Sequence, residues 1–150
     1  MDTTSASSDA RLRDVEPGDI EIFYKQQLDP DATAMAAFPA RDRDAHFAHW
    51  DKILKDKTCV TKTIAISDEV AGNIGSWIQD GQREVGYWIG KQYWGRGIAT
   101  AAVRDFLHLV TERPLVAWVA RHNAGSIRVL EKVGFVFDRD EGDHRVYKID

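Results

Sequence analysis

One cysteine, four prolines and no long apolar run bound this 150-residue chain before any motif is sought. With Cys59 alone, an intrachain disulfide and a multi-cysteine zinc site are excluded. Cys59 lies in the β-like run TCVTKTIAI, where a buried, inert thiol is expected rather than a nucleophile. No stretch approaches the ~18 apolar residues of a membrane span. The opening MDTTSASSDA has neither the basic nor the apolar region of a secretory leader, so a cytoplasmic protein is expected. No block of five basic residues occurs, and 24 acidic against 20 basic residues leave a net charge of −4. A chain that binds by neutralising phosphates carries a basic footprint, so nucleic acid is not expected as a partner. A cationic substrate such as an amine is tolerated. His46 and His49 stand three apart with no cysteine and no H-E-x-x-H pattern, so a surface helix is expected there and no metal site.

What is present is ordinary for one packed domain: 43% hydrophobic and 29% charged residues. Residues 1–9 read as a disordered Ser/Thr/Asp-rich tail and 10–150 as the domain. Residues 11–15 alternate as a short strand. Asp19 is placed to cap a helix over 20–28, and 32–40 reads as a short helical turn or structured loop. In 41–55, Phe47, Trp50, Ile53 and Leu54 form one helical stripe. From Thr58 the period becomes two, predicting a meander of strands over 58–67, 70–79 and 83–89. A buried helix over 98–112, a strand over 115–120, a helix from Asn123 to Val133 and strands over 135–139 and 145–149 complete an α+β domain.

The segment that carries chemistry is Val85 to Thr100, VGYWIGKQYWGRGIAT, a strand that runs through a Gly-rich turn into the buried helix. Successive backbone N–H groups at a helix N-terminus, with the helix dipole, bind phosphate oxygens. Gly95 and Gly97 let the backbone approach an anion, and Arg96 adds a charged donor. The spacing is neither G-x-x-x-x-G-K-[ST] nor G-x-G-x-x-G, so the usual mononucleotide and dinucleotide loops are excluded while a pyrophosphate site stands.

Gln92-Tyr93-Trp94-Gly95-Arg96-Gly97 matches [QR]-x-x-G-x-[GA], the signature of the GNAT superfamily of acetyl-CoA-dependent N-acetyltransferases. A second segment, Asn123 to Phe135, resembles the family's later helix, opened by Asn and closed by Lys-x-Gly-Phe. Gly86-Tyr87-Trp88-Ile89 and the Asn123–Ser126 pair look most like the subgroup of ribosomal-protein N-terminal acetyltransferases. The resemblance spans roughly residues 10–150. It implies a mixed, mostly antiparallel sheet of about seven strands and about four helices, splayed between strands 4 and 5. It implies acetyl-CoA as cosubstrate, with no metal. The pantetheine arm would enter the splay and pair with strand 4 near Trp88 and Ile89. The pyrophosphate would lie on Gln92, Gly95, Arg96, Gly97, Ile98, Ala99 and Thr100. Asn123 would bond the pantetheine, and Ser126 would face the same cosubstrate.

Acetyl transfer to an amine requires a neutral amine, a polarised carbonyl and a leaving thiolate. Glu84, on strand 4 and on the face of Gly86 and Trp88, is the candidate base; Glu69 is the weaker one. Glu84 paired with Arg83 or a neighbour is the plainer alternative. Many family members carry a Tyr as acid to the thiolate on the last helix, where this chain has Leu130, so Ser126 is the candidate in its place. The resemblance implies a primary amine, small-molecule or peptide, taken by a monomer or homodimer without a membrane. Met35, Phe38, His46 and Trp77 are the expected acceptor wall. The alternatives are a CoA or acyl-CoA sensor without turnover and a purely structural domain.

Overall fold

In the computed structural model, which describes residues 10–150, the chain runs β1 (Ala10–Arg13), α1 (Pro17–Gln27), α2 (Pro30–Ala36), α3 (Arg43–Lys55), β2 (Val60–Ile66), β3 (Glu69–Gln79) and β4 (Gln82–Ile89). A 3-10 turn (Lys91–Tyr93) leads to α4 (Ile98–Leu109), β5 (Leu115–Ala120), α5 (Ala124–Lys132), β6 (Val136–Glu141) and β7 (His144–Ile149). The tail expected over 1–9 lies outside the described residues. The seven strands form one sheet in the order β1-β2-β3-β4-β5-β7-β6. Short turns make β2, β3 and β4 antiparallel. The α4 crossover makes β4 and β5 parallel, because a strand returned through a helix re-enters in the same direction.

That parallel pair is the fold's functional feature. β4 and β5 share only two register positions, Arg83↔Leu115 and Glu84↔Val116, and then part. Beyond Glu84, β4 keeps β3 on one side and leaves its other edge without a strand. An extended ligand can pair with such an edge through the main chain. The splay that the resemblance implied is therefore present.

Packing fixes which side chains face which way. The main core lies between the sheet and α4 and α5, with Ile74, Val85, Val103, Phe106, Leu115 and Leu130 buried. Phe106 is fully buried, and truncation to Ala there is expected to cost ~3–5 kcal/mol. On the opposite side, Phe23 of α1 and Trp50 of α3 pack with Val70, their rings 4.8 Å apart. Alternation along β4 then sends Val85, Tyr87 and Ile89 toward α4 and α5, and Glu84, Gly86 and Trp88 toward α1 and α3.

Two local expectations change. α1 begins at Pro17 with Glu16 as N-cap, so Asp19 is not the cap but the third helical residue. There it accepts from the Glu16 N–H at 2.8 Å, from Arg13 through two bonds of 2.8 and 3.0 Å, and from Thr63 at 2.7 Å. Burial pushes the Asp19 carboxyl up, but these bonds and the Arg13 charge outweigh it and hold it below the usual carboxylate range. This ties α1 to β1 and β2. His46 is not on a surface: it is 3% exposed between α1 and α3, with its Nε2 3.0 Å from the Ile20 carbonyl.

Candidate active site

A cavity of about 1020 Å³ opens where the turn after β4, the start of α5 and α2 meet. Its far wall is the predicted anion turn. Gly95 and Gly97 both have φ +75°, a left-handed conformation that favours glycine. A Cβ at Gly95 would meet nothing within 4 Å, so backbone conformation rather than crowding requires glycine there. Gly97 is the N-cap of α4 and no side chain caps the helix, so its first N–H groups are left for a ligand. These features fit a pyrophosphate.

Side-chain contacts hold the turn in shape. Tyr93 is buried and donates to Glu69 Oε1 at 2.6 Å, and the Arg96 guanidinium lies 5.5 Å from its ring centroid. Glu69 is therefore engaged beneath the turn, at the end of β4 away from the paired base of the splay. Trp94 lines the cavity and donates from Nε1 to the Ile89 carbonyl at 2.9 Å. Lys91 pairs with Asp31, and His122 lies 2.7 Å from the Ala34 carbonyl. Helix α2 is thus tied to both rims of the splay, which brings Met35 to the cavity.

A narrower cavity of about 120 Å³ lies in the splay itself. Gly86 and Tyr87 of β4 face Trp118 of β5 across it, and Asn123 and Ser126 of α5 stand behind. Asn123 is the N-cap of α5, and its Oδ1 accepts from the Ser126 N–H at 3.1 Å. Its amide NH2 makes no hydrogen bond among the described residues. Ser126 Oγ lies 2.5 Å from the Tyr87 hydroxyl. Burial pushes the Tyr87 phenol up to about 12, against the opposing effect of the Ser126 hydrogen bond.

On the other face of the splay, Glu84 is 8% exposed. It does not pair with Arg83, which points to the opposite face and bonds Glu112 at 3.1 Å. Burial, then the nearby Asp80 charge, pushes the Glu84 carboxyl up, against a hydrogen bond from Trp77. Trp77 is paired with Glu84 in the β3–β4 register, and its ring covers Gly86 so closely that a Cβ there would lie 2.7 Å from it.

Most predicted residues come together. Trp88, Ile89, Gly95, Arg96, Gly97, Ile98, Ala99, Thr100, Asn123, Ser126 and Met35 line the large cavity. Gln92 does not; it is exposed on the 3-10 turn. Glu84 and Trp77 sit at the base of the splay without lining either cavity. Phe38 is exposed beyond α2, under the Arg41 guanidinium. His46 is buried between helices and lines neither cavity. Trp118 is 44% exposed at the splay. Tyr87, quoted in the sequence only within Gly86–Ile89, and Trp118 line the narrower cavity although neither was a candidate site residue; for Trp118, alternation along β5 was the only signal. Cys59 is half-buried, and burial pushes its thiol up, in keeping with an inert group. Among the described residues, no three His, Cys, Asp or Glu side chains converge on a metal position, and no helix is long and apolar enough to cross a membrane.

The model of the acetyltransferase (GNAT) domain family matches residues 10–136. The chain belongs to the GNAT acetyltransferase family. Several solved acetyltransferase structures share its fold. A spermidine N-acetyltransferase from Vibrio cholerae, in complex with CoA and spermine, superposes with a TM-score of 0.78 at 15% identity, over 94% of each chain. The Campylobacter jejuni N-acetyltransferase PseH, in complex with acetyl coenzyme A, gives 0.70 at 14%, over 94% of this chain and 98% of that one. A ribosomal L7/L12 alpha-N-protein acetyltransferase in complex with CoA gives 0.76 at 16%, over 96% and 95%. No curated protein shows significant sequence similarity. As a GNAT domain the chain is an N-acetyltransferase, and its seven-stranded sheet with parallel β4 and β5 is the GNAT fold.

Proposed function

We propose that the protein transfers an acetyl group from acetyl-CoA directly to a primary amine in a ternary complex. The observation that carries this reading is the splay between β4 and β5, with an anion-binding turn at its mouth and a buried carboxylate at its base. The N–H groups of Gly95 to Thr100 would hold the pyrophosphate, with Arg96 as a charged partner. The free edge of β4 near Trp88 and Ile89 would take the pantetheine amides, and the unbonded Asn123 amide would donate to the same arm. A β4 N–H near the splay is suited to the developing oxyanion.

Glu84 is the proposed base. An alkyl ammonium has a pKa near ~10, so the amine must lose a proton before it attacks. A carboxylate raised by burial is a better base at neutral pH than an exposed one. Met35 and Trp118 line the cavities at the splay and Trp77 lies at its base, and this largely apolar wall would suit an amine carried on an apolar or cationic body. The residues Gly86 to Ile89 and the Asn123–Ser126 pair favour an acceptor like that of the ribosomal-protein N-terminal acetyltransferases.

One observation favours a second reading. Glu84 lines neither cavity, so a protein that binds acyl-CoA without turnover is the alternative. Initial rates with acetyl-CoA and amine both varied separate the possibilities. Direct transfer gives intersecting reciprocal plots; parallel plots would mean an acetylated enzyme, and no amine-dependent rate would favour the sensor.

A further inference from the structure

Leu130 stands where the family resemblance places a tyrosine acid, and it is 2% exposed in the apolar core. A phenol nevertheless reaches the splay, from β4 instead of α5. The hydroxyls of Tyr87 and Ser126 lie 2.5 Å apart, and each is the other's only side-chain hydrogen-bond partner among the described residues. Two hydroxyls carry two protons, and one mutual bond uses one of them. The other O–H has no protein acceptor. The remaining walls here include Val103, Ala117, Val119 and Leu130, and no charged side chain lines this cavity. Either oxygen can be the donor; the phenol is the stronger acid of the two, and when it donates to Ser126 the serine proton is left to point outward.

We propose that Tyr87 is a positioning residue of the transfer: it fixes the Ser126 hydroxyl so that this O–H donates to the sulfur of the departing CoA. The inference rests on the acetyltransferase reading above. The amine nitrogen bonds to the acetyl carbon, the carbon–sulfur bond breaks, and its electron pair stays on sulfur. The amine proton goes to the base and then to solvent. The dyad holds the thiolate and does not protonate it. A phenol near 12 lies about three and a half units above a thiol at ~8.5, so full proton transfer would run uphill by more than ~10³. The two hydroxyls thus form a small anion hole for sulfur, inside a wall that is otherwise apolar apart from Asn123.

The test compares CoA with desulfo-CoA, which lacks only the thiol. In the wild-type protein, CoA affinity should tighten about tenfold from pH 7 to pH 9.5, while desulfo-CoA affinity stays flat. Tyr87→Phe should remove most of that gain and lower kcat about tenfold with the acetyl-CoA KM unchanged. Ser126→Ala, on a helix where Ala is well tolerated, should do the same, and the double variant should be no worse than either. A Tyr87→Phe protein with wild-type kcat, or one that keeps the pH-dependent preference for CoA, would overturn the inference. So would a wild-type protein that binds both ligands with no difference in pH dependence. Wild-type protein that bound neither ligand would overturn the acetyltransferase reading itself, and the inference with it.

Discussion

The two sides of the splay are built from different materials. The cofactor side uses main chain: two glycines at φ +75°, the uncapped start of α4 and the free edge of β4. The proposed acceptor side would use side chains drawn from α2, β3, β4 and β5, with Glu84, Trp77, Trp118 and Met35 each on a different element. Main-chain recognition demands glycine at fixed positions, so it writes a local motif. A wall of side chains from four elements has no fixed spacing, and any apolar strand residue can supply part of it. One side should therefore fail when backbone conformation is disturbed, and the other when a functional group is removed.

The largest effect is expected on the acceptor side. Glu84→Gln keeps the shape and removes the base, so kcat at neutral pH should fall by ~10²–10⁴ while CoA binding survives. Activity should return in part at high pH, where free amine is present unaided. Wild-type kcat in that variant would make Glu84 an ordinary strand residue.

On the cofactor side, Gly97→Asn is the sharpest change. Asn tolerates the left-handed conformation, but its side chain caps the N–H groups that the pyrophosphate needs. CoA affinity by titration calorimetry should drop ~10- to 100-fold with little change in Tm. Equal affinity would mean that the pyrophosphate lies elsewhere. Asn123→Asp is milder. Both residues cap well, so stability should hold, while the acetyl-CoA KM should rise several-fold through the lost amide donor and the added charge. An unchanged KM would leave Asn123 a cap only.

The smallest effect concerns acid. Burial holds His46 and His49 below the usual imidazole range. The unfolded chain therefore binds these protons first, and stability falls as pH drops below ~6.5 toward the lower folded values. Tm followed from pH 7 to pH 5 should decline, and His46→Gln should make the decline shallower. Hydrogen exchange should place the acid-sensitive opening in α1 and α3 rather than at the turn after β4; the reverse distribution would contradict the division.

The same contrast explains what could be read from the chain. The meander, the strand–helix–strand order around α4 and the Gly-rich turn follow from period-two runs, an apolar helix and a glycine spacing, whereas the splay between β4 and β5 was implied by the family resemblance alone. Asp19 was misread because its partners, Arg13 and Thr63, arrive from two strands, one of them 44 residues away. His46 was misread because only the packing of α1 against α3 makes that face internal. Tyr87 was read only as part of the Gly86–Ile89 phrase, and its contact with Ser126 appears only when α5 brings that residue to it.

The central claim is best tested by mixing the protein with acetyl-CoA and a panel of primary amines, including peptides with free N-termini. Free thiol and acetylated amine are then measured together. The account predicts thiol release that depends on amine and matches acetylated product one for one. Acetyl-CoA that stabilises the protein but releases no thiol with any amine would contradict it.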